Sequence, residues 1–598
     1  MKMKRNIYLS IIFVLVFSIV GCEDFLDVNK SVDSPTTLTV DQALPTATFY
    51  AAQQVYDHAE YNVYLSQALT TSSKSQTGSY AYSQGWEFLS MNRHPQWRRH
   101  FYDLGANIRE MEKAAEKINS KNFILIGRTI MLQSTMFTTD VFGDMPRSNA
   151  YTSTSPTYDT QEEIYEWMFK EADDLIALYE DPEWTDHKDN IPITETMDRI
   201  YKGDLKKWAL YTKALRARLW IRKLPNWENT PEVCNQIISM VDEILNDPNW
   251  EEPRYNYPGG TNEQNCPWGP SAPIINAWES RGNRLATSMP SKFFGYALLG
   301  AYDVPKNARS SALDPRALKL MSERPADKAG SEAIRWLDAN LGMESSMKVT
   351  YYPDLYAEKG NNPFTSNNGY VALILDEELM FIKAEAQYWN KDVTGAYNTT
   401  MDAVLHNFER LGINKPVASV DGSNAVKRYN AFFEIKLPGA ATFTLADLMQ
   451  QKYIAMYLQP EQWTDMRRYN YSSPTNEIMY DETYVYLVKN IFDQTGTAIP
   501  TVANSTREYA LARPFNLYVP YWDQPDSYVF TEGNKTGLSP NAWIMRLNYD
   551  PETEDKYNKG ELQRLGAYKN HEWLKKRMIW SYKNNNKVTG DGAKLEWK

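Results

Sequence analysis

An all-α fold, a tetratricopeptide-like scaffold of helix pairs carrying long irregular insertions, is what this 598-residue sequence predicts. Three observations carry the expectation. Apolar residues recur three and four apart over about 40–250 and again over about 370–470, the period of a half-buried helix. Short connections join these stretches, so consecutive helices should pack as pairs. Strand-like runs are confined to small pieces such as Tyr484-Val485-Tyr486-Leu487-Val488. No strict 34-residue repeat accompanies the pairs.

The first element is not part of the fold. Lys2, Lys4 and Arg5 precede a 14-residue apolar run, Ile7–Val20, and Gly21 stands before Cys22. This is an export signal, too short for a comfortable membrane span. Ile19-Val20-Gly21-Cys22 has the arrangement of a bacterial lipobox, in which Cys22 is acylated and begins the mature chain. Residues 1–21 are thus the signal peptide and 22–38 a lipidated tether. The remainder, 39–598, is one domain, and acyl chains would anchor it without a spanning helix.

Leu104, Ile108, Met111, Ala115 and Ile118 step by four, three, four and three, and so share one helical face. The run Ile124–Val141 follows after about five residues, which predicts an antiparallel hairpin. Ile164, Met168, Ala172, Leu175 and Tyr179 mark a third helix, and Trp208, Tyr211, Leu215 and Leu219 a fourth. Val233, Ile237, Val241 and Leu245 make a fifth. The pattern returns at Leu379, Ile382, Ala386 and Trp389, at Tyr397, Met401, Val404 and Phe408, and from Leu445 to Leu458.

Between these blocks, residues 251–300 hold six Gly and six Pro, more than twice their frequency in the whole chain, which argues against regular helix there. Residues from about 472 to 545 are also irregular. Long loops of an exported protein tend to carry function. The ligand-binding parts are therefore placed at about 251–369 and 471–545.

Hydrophobic residues at 42% and charged residues at 23% describe a globular chain. With a net charge of -11 and no dense block of Lys or Arg, nucleic acid is not an expected partner. Catalytic signatures are absent: there is no G-x-S-x-G, no H-E-x-x-H, no C-x-x-C and no phosphate-cradling glycine loop. No two of the six histidines, His58, His94, His100, His187, His406 and His571, lie three or four apart, so no helix presents a zinc pair. Neither a metal nor a cofactor is expected, and the chain does not read as an enzyme. Asp376-Glu377-Glu378 is the tempting acidic cluster. On a helix its members point different ways, at an N-terminus that favours acids. After Cys22 only Cys234 and Cys266 remain. Export permits a bond between them, and Cys234 lies on an apolar helical stripe that reads as core.

Several stretches together resemble one family. Thr139-Asp140-Val141-Phe142-Gly143-Asp144-Met145-Pro146 resembles a motif of the SusD/RagB family of Bacteroidetes surface lipoproteins. Trp97, Tyr102 and Asn107 are similar to its early helix, and Gly203-Asp204-Leu205-Lys206-Lys207-Trp208 with Leu215–Leu219 to a later one. Ala384-Glu385-Ala386, Gln451-Lys452-Tyr453 and Glu461–Arg468 also match. So do Arg546-Leu547, Tyr549, Pro551, Glu554 and Asn558 near the end, with Asp550 as an inserted residue. These motif residues read as scaffold. Asp465 and Arg468 are spaced to pair, and Trp463 and Arg467 share a face. Gly143 supplies a left-handed turn that ends a helix, and Pro146 cannot continue it.

The resemblance implies a nutrient-binding lipoprotein on the outer face of the outer membrane, capping a SusC-like TonB-dependent β-barrel transporter. It would capture oligosaccharides and deliver them without breaking a bond. The acidic Glu23 and Asp24 after Cys22 resemble the surface-export signal of such lipoproteins. Aromatic faces suit the C–H face of a sugar ring, and Asn and Arg suit its hydroxyls. In loop positions, Tyr80, Tyr82 and Trp86 form one candidate ligand-binding set. Trp268, Asn276, Trp278, Arg281, Asn283 and Arg284 form another. Peptides bound by the same lid are the main alternative. A structural subunit or a surface glycoside hydrolase is the second, and released reducing ends would mark the hydrolase.

Overall fold

Several helices begin where the sequence supplies a side-chain partner for orphan amides. A computed structural model describes residues 38–71, 94–271, 285, 288–300, 309–322, 353–356, 362–473, 476, 478–487, 543–550, 553–568 and 570–581. Helix α1, Val40–Leu65, starts from Thr39, and strand β1, Leu69–Thr71, follows it. A π-helical segment, Arg99–Ala106, runs into α2, Asn107–Ile118. Next come α3, Lys121–Phe142, and α4, Gln161–Glu180, where Thr160 accepts from the Glu163 amide. Asp204 accepts from the Lys206 and Lys207 amides to start α5, Leu205–Ile221. Thr230 followed by Pro231 starts α6, Pro231–Leu245.

The second block holds α8, Asp376–Trp389, and α9, Val393–Arg410. It continues with α10, Ser423–Lys436, α11, Leu445–Ala455, and α12, Glu461–Arg468. Between the blocks lie β2, Arg254–Asn256, β3, Ser288–Pro290, α7, Lys292–Leu299, and β4, Tyr370–Ala372. Two antiparallel pairs join distant segments: Thr71 opposite Ser288, and Tyr255 opposite Val371. Helix pairs on short loops predominate, so the all-α, tetratricopeptide-like expectation holds. One hydrophobic core runs from Val40 to Trp580. From Ala51 onward α1 is buried on every face, the signature of a central helix. Some of its polar residues reach across to other segments: Asp57 accepts from Arg99 Nε at 2.7 Å, and Asn62 donates to the Pro460 carbonyl at 2.9 Å.

Several expectations need correction. Ile118 is 42% exposed, because α2 ends there and Asn119 turns left-handed at φ 56°. Only Asn119 and Ser120 separate α2 from α3, fewer than the five residues expected. Helix α11 stops at Ala455, short of Leu458, which sits at φ 64°. The Gly/Pro-rich stretch does contain a helix, α7, capped by Ser291 at one end and by Gly300 at φ 75° at the other. Composition averaged over fifty residues hid a local apolar run. Tyr484–Leu487 forms no strand among the described residues; an isolated bridge, Tyr480 to Thr483, stands nearby. Cys234 and Cys266 are both free and buried, and burial pushes each thiol up to about 12.

The motif residues converge. Asp140 accepts from Trp580 Nε1 at 3.1 Å, from Arg222 Nη2 at 3.1 Å and from the Tyr165 hydroxyl. Arg467 lies over the Trp463 ring at 3.5 Å. Glu377 and Glu378 do point apart, to Arg410 at 2.6 Å and to Arg218 at 2.6 Å. Gly143 has φ 84° and ψ -120°, positive as expected but outside the left-handed helical region. A Cβ there would stand 2.3 Å from Arg546 Nη1. Gly143→Ala is expected to lower stability by about 1–3 kcal/mol, read as an earlier urea midpoint. An unchanged midpoint would show that Arg546 has room to move.

Candidate functional site

Trp97 begins the site. Its indole Nε1 donates to Glu554 Oε1 at 3.1 Å, and the Tyr158 hydroxyl donates to the other oxygen of the same carboxylate. Burial raises the Glu554 pKa from its ordinary value, and the hydrogen bonds from Tyr158 and Trp97 oppose that rise. Tyr549 packs against Trp97 with ring centroids 5.3 Å apart and donates to the Asp144 carbonyl at 2.6 Å. The Gly143–Pro146 turn and the C-terminal segment thus form one wall, with the π-helical segment opposite. Wide π turns often occur where a chain departs from packing for function.

Between the walls lies an open groove of about 590 Å³, within the range of small-ligand sites. Tyr102 in the π-helical segment is 68% exposed and Tyr151 41% exposed, and both line the groove. Tyr557, 65% exposed, is one turn on from Glu554. These three are the aromatic members of the exposed large hydrophobic residues among those described. Tyr151 is held by design of the backbone: its hydroxyl donates to the Phe101 carbonyl at 2.8 Å, and a Cβ on Gly105 would overlap that hydroxyl. Arg98 stands 5.5 Å from the Tyr102 ring centre and Arg109 4.6 Å from that of Tyr151. The groove therefore offers ring faces beside guanidinium donors.

Of the nine sequence candidates, Tyr80, Tyr82, Trp86, Asn276, Trp278, Arg281, Asn283 and Arg284 lie outside the described residues, as does Cys22. Thr71, which precedes the first set in the chain, pairs with Ser288, which follows the second. Trp268 is 4% exposed and stands edge-on to Tyr56 at 4.7 Å. It closes the core over α1 and offers no stacking face. Sequence reasoning set Tyr102 aside with the scaffold residues. The five-residue spacing of Trp97, Tyr102 and Asn107, the hydrogen-bond span of a π-helix, is the signal that could have marked it. Among the described residues no group of three or more His, Cys, Asp or Glu could hold a metal. No described helix is long and apolar enough to cross a membrane.

Comparison with known proteins agrees with this architecture. A family model for SusD-like proteins, described as starch-binding and associating with the outer membrane, matches residues 32–485. Among solved structures, a SusD homologue from Bacteroides uniformis superposes with a TM-score of 0.57 at 16% identity, over 90% of this chain and 99% of that one. A SusD/RagB family protein from Bacteroides thetaiotaomicron gives 0.55 at 17% identity, over 93% and 100%. A chitin-binding SusD homologue from Flavobacterium johnsoniae gives 0.54 at 15% identity, over 90% and 98%. No curated protein matches the chain.

Proposed function

Because this chain belongs to the SusD-like family associating with the outer membrane, we propose that it is a cell-surface lipoprotein that captures oligosaccharides and passes them to a SusC-like TonB-dependent barrel. The single observation that carries the glycan reading is the groove where Tyr102 and Tyr151 stay exposed beside Arg98. A pyranose face stacks on a phenol ring, and its hydroxyls bond to guanidinium. The anchor would be acylated Cys22. The loops carrying Tyr80, Tyr82 and Trp86 and carrying Asn276, Trp278, Arg281, Asn283 and Arg284 are proposed as further contacts. The pairing of Thr71 with Ser288 supports one shared surface for them.

Calorimetry against plant, host and microbial oligosaccharides beside a peptide mixture tests this reading. Tyr102→Ala and Tyr151→Ala should each weaken glycan binding about 5- to 10-fold, the loss of roughly 1 kcal/mol of ring contact. Heat from peptides alone would move the protein to peptide uptake. Release of reducing ends would make it a hydrolase.

A further inference from the structure

A second groove, sharing no lining residue with the first, opens beside the N-terminal half of α1. It measures about 390 Å³ and is lined by Phe49, Tyr50, Arg199, Tyr255, Tyr257 and Gln264, among others. Arg199 is the one charged side chain among its lining residues. Its guanidinium sits beside the Tyr255 hydroxyl, and no described carboxylate pairs with it. The adjacent acid, Asp198, is buried and engaged elsewhere: it accepts from the Ile200 and Gly203 amides, each at 2.9 Å, and from Trp208 Nε1 at 2.8 Å. The side chains of Arg218, Arg222, Arg410 and Arg468 are buried and meet carboxylates, whereas Arg199 is exposed at the groove and meets only a phenol hydroxyl among the described residues.

A second, independent feature marks the same groove. The Tyr257 hydroxyl is buried and has no hydrogen-bond partner among the described residues. An unsatisfied buried hydroxyl costs about 1–3 kcal/mol, a cost that a ligand hydroxyl would remove. Phe49 and Tyr50 are half-buried and leave part of their rings open to the groove.

The geometry points to a second binding site on this chain, for a carboxylate-bearing sugar residue of the uronate type. Arg199 would grip the carboxylate through two parallel N–H donors, the geometry a guanidinium presents best. Phe49 and Tyr50 would cover the ring face, and Tyr257 and Gln264 would meet the ring hydroxyls. An acidic sugar satisfies the unpaired cation, the open rings and the orphaned hydroxyl together. A neutral sugar leaves the cation unmatched, and a simple anion leaves the rings uncovered.

The test is calorimetry of the full chain with glucuronate- and galacturonate-containing disaccharides and with their carboxyl-reduced counterparts. The acidic form should bind at least about 10-fold tighter, and less tightly as salt rises. Arg199→Gln should abolish the difference, Arg199→Lys should restore part of it, and Tyr257→Phe should weaken both forms. Arg199 is exposed, so its two variants are expected to keep the wild-type melting midpoint, whereas Tyr257→Phe, which removes a buried unpaired hydroxyl, should hold or raise it. Equal affinity for the two forms, no heat from any uronate, or an unchanged Arg199→Gln overturns the proposal. So does Arg199-dependent heat from a peptide C-terminal carboxylate with none from sugar. Tyr102→Ala should leave acidic-sugar binding untouched. Loss of neutral-glycan binding at the first groove therefore bears on that reading alone.

Discussion

Glu385→Ala is expected to lower the unfolding free energy by about 3–5 kcal/mol, the cost of leaving a buried charge unpaired. Glu385 is fully buried on α8 and accepts from Arg468 Nη1 at 2.6 Å, Arg468 Nη2 at 2.8 Å and the Tyr469 hydroxyl at 2.6 Å. Arg468 also meets Asp465 at 2.7 Å and donates to the Leu224 carbonyl at 2.5 Å. Lys452 closes the group with Asp465 at 2.8 Å. Its cations and hydrogen bonds hold the Asp465 pKa down to about 2, with Lys452 the leading cation. Removing Glu385 leaves Asp465 as the single carboxylate facing two buried cations, whereas Glu385→Gln keeps some of the hydrogen bonds and should cost less. Urea unfolding of both variants ranks them. A loss below about 1 kcal/mol for Glu385→Ala would mean that water enters and solvates the cluster.

The second large effect is pH dependence. Burial lowers the pKa of both His58 and His100 to about 3 from an ordinary 6.5. Arg467 lowers that of His58 further, while Asp57 and Glu461 oppose it. Both rings are neutral in the folded protein, whereas the unfolded chain protonates them below pH 6.5. Their contribution is therefore full above 6.5 and is lost as pH falls toward 3, at about 1.4 kcal/mol per unit for each ring. Glu112, raised to about 7 mainly by burial, works in the opposite direction between 7 and 4.5 and cancels about half of that slope. Between pH 6 and 4.5 the wild-type slope should exceed that of a His58→Gln/His100→Gln double variant by about 2.7 kcal/mol per unit. Parallel slopes in urea titrations would show that the rings are already protonated or solvated in the folded state.

The ion-pair cluster shows how far the sequence was legible. Asp465 and Arg468, three apart on one helix, could be paired from spacing alone. That Glu385, 83 residues earlier, would supply the other carboxylate could not. Likewise Trp97 and Glu554 appeared as separate motif residues, 457 positions apart, yet they share a hydrogen bond in the wall of the groove. Trp268 shows the opposite failure. Its Gly- and Pro-rich surroundings imitate an exposed loop, but Tyr56 on α1 covers it. Arg199 carries no local mark, because its distinction is a partner that is missing.

By itself the sequence determined the helix periods and the family, and it carries the capping side chains of about half the helices, Thr160, Asp204, Thr230 and Thr444 among them. These depend on backbone geometry and hydrogen bonds within a few residues, which a linear pattern records. The tertiary structure alone decided which charges meet, that a π turn would expose Tyr102, and that Arg199 would stand in a groove without a carboxylate. Burial and pairing depend on segments brought together from hundreds of residues apart, and the free energy of each side chain is set by those neighbours.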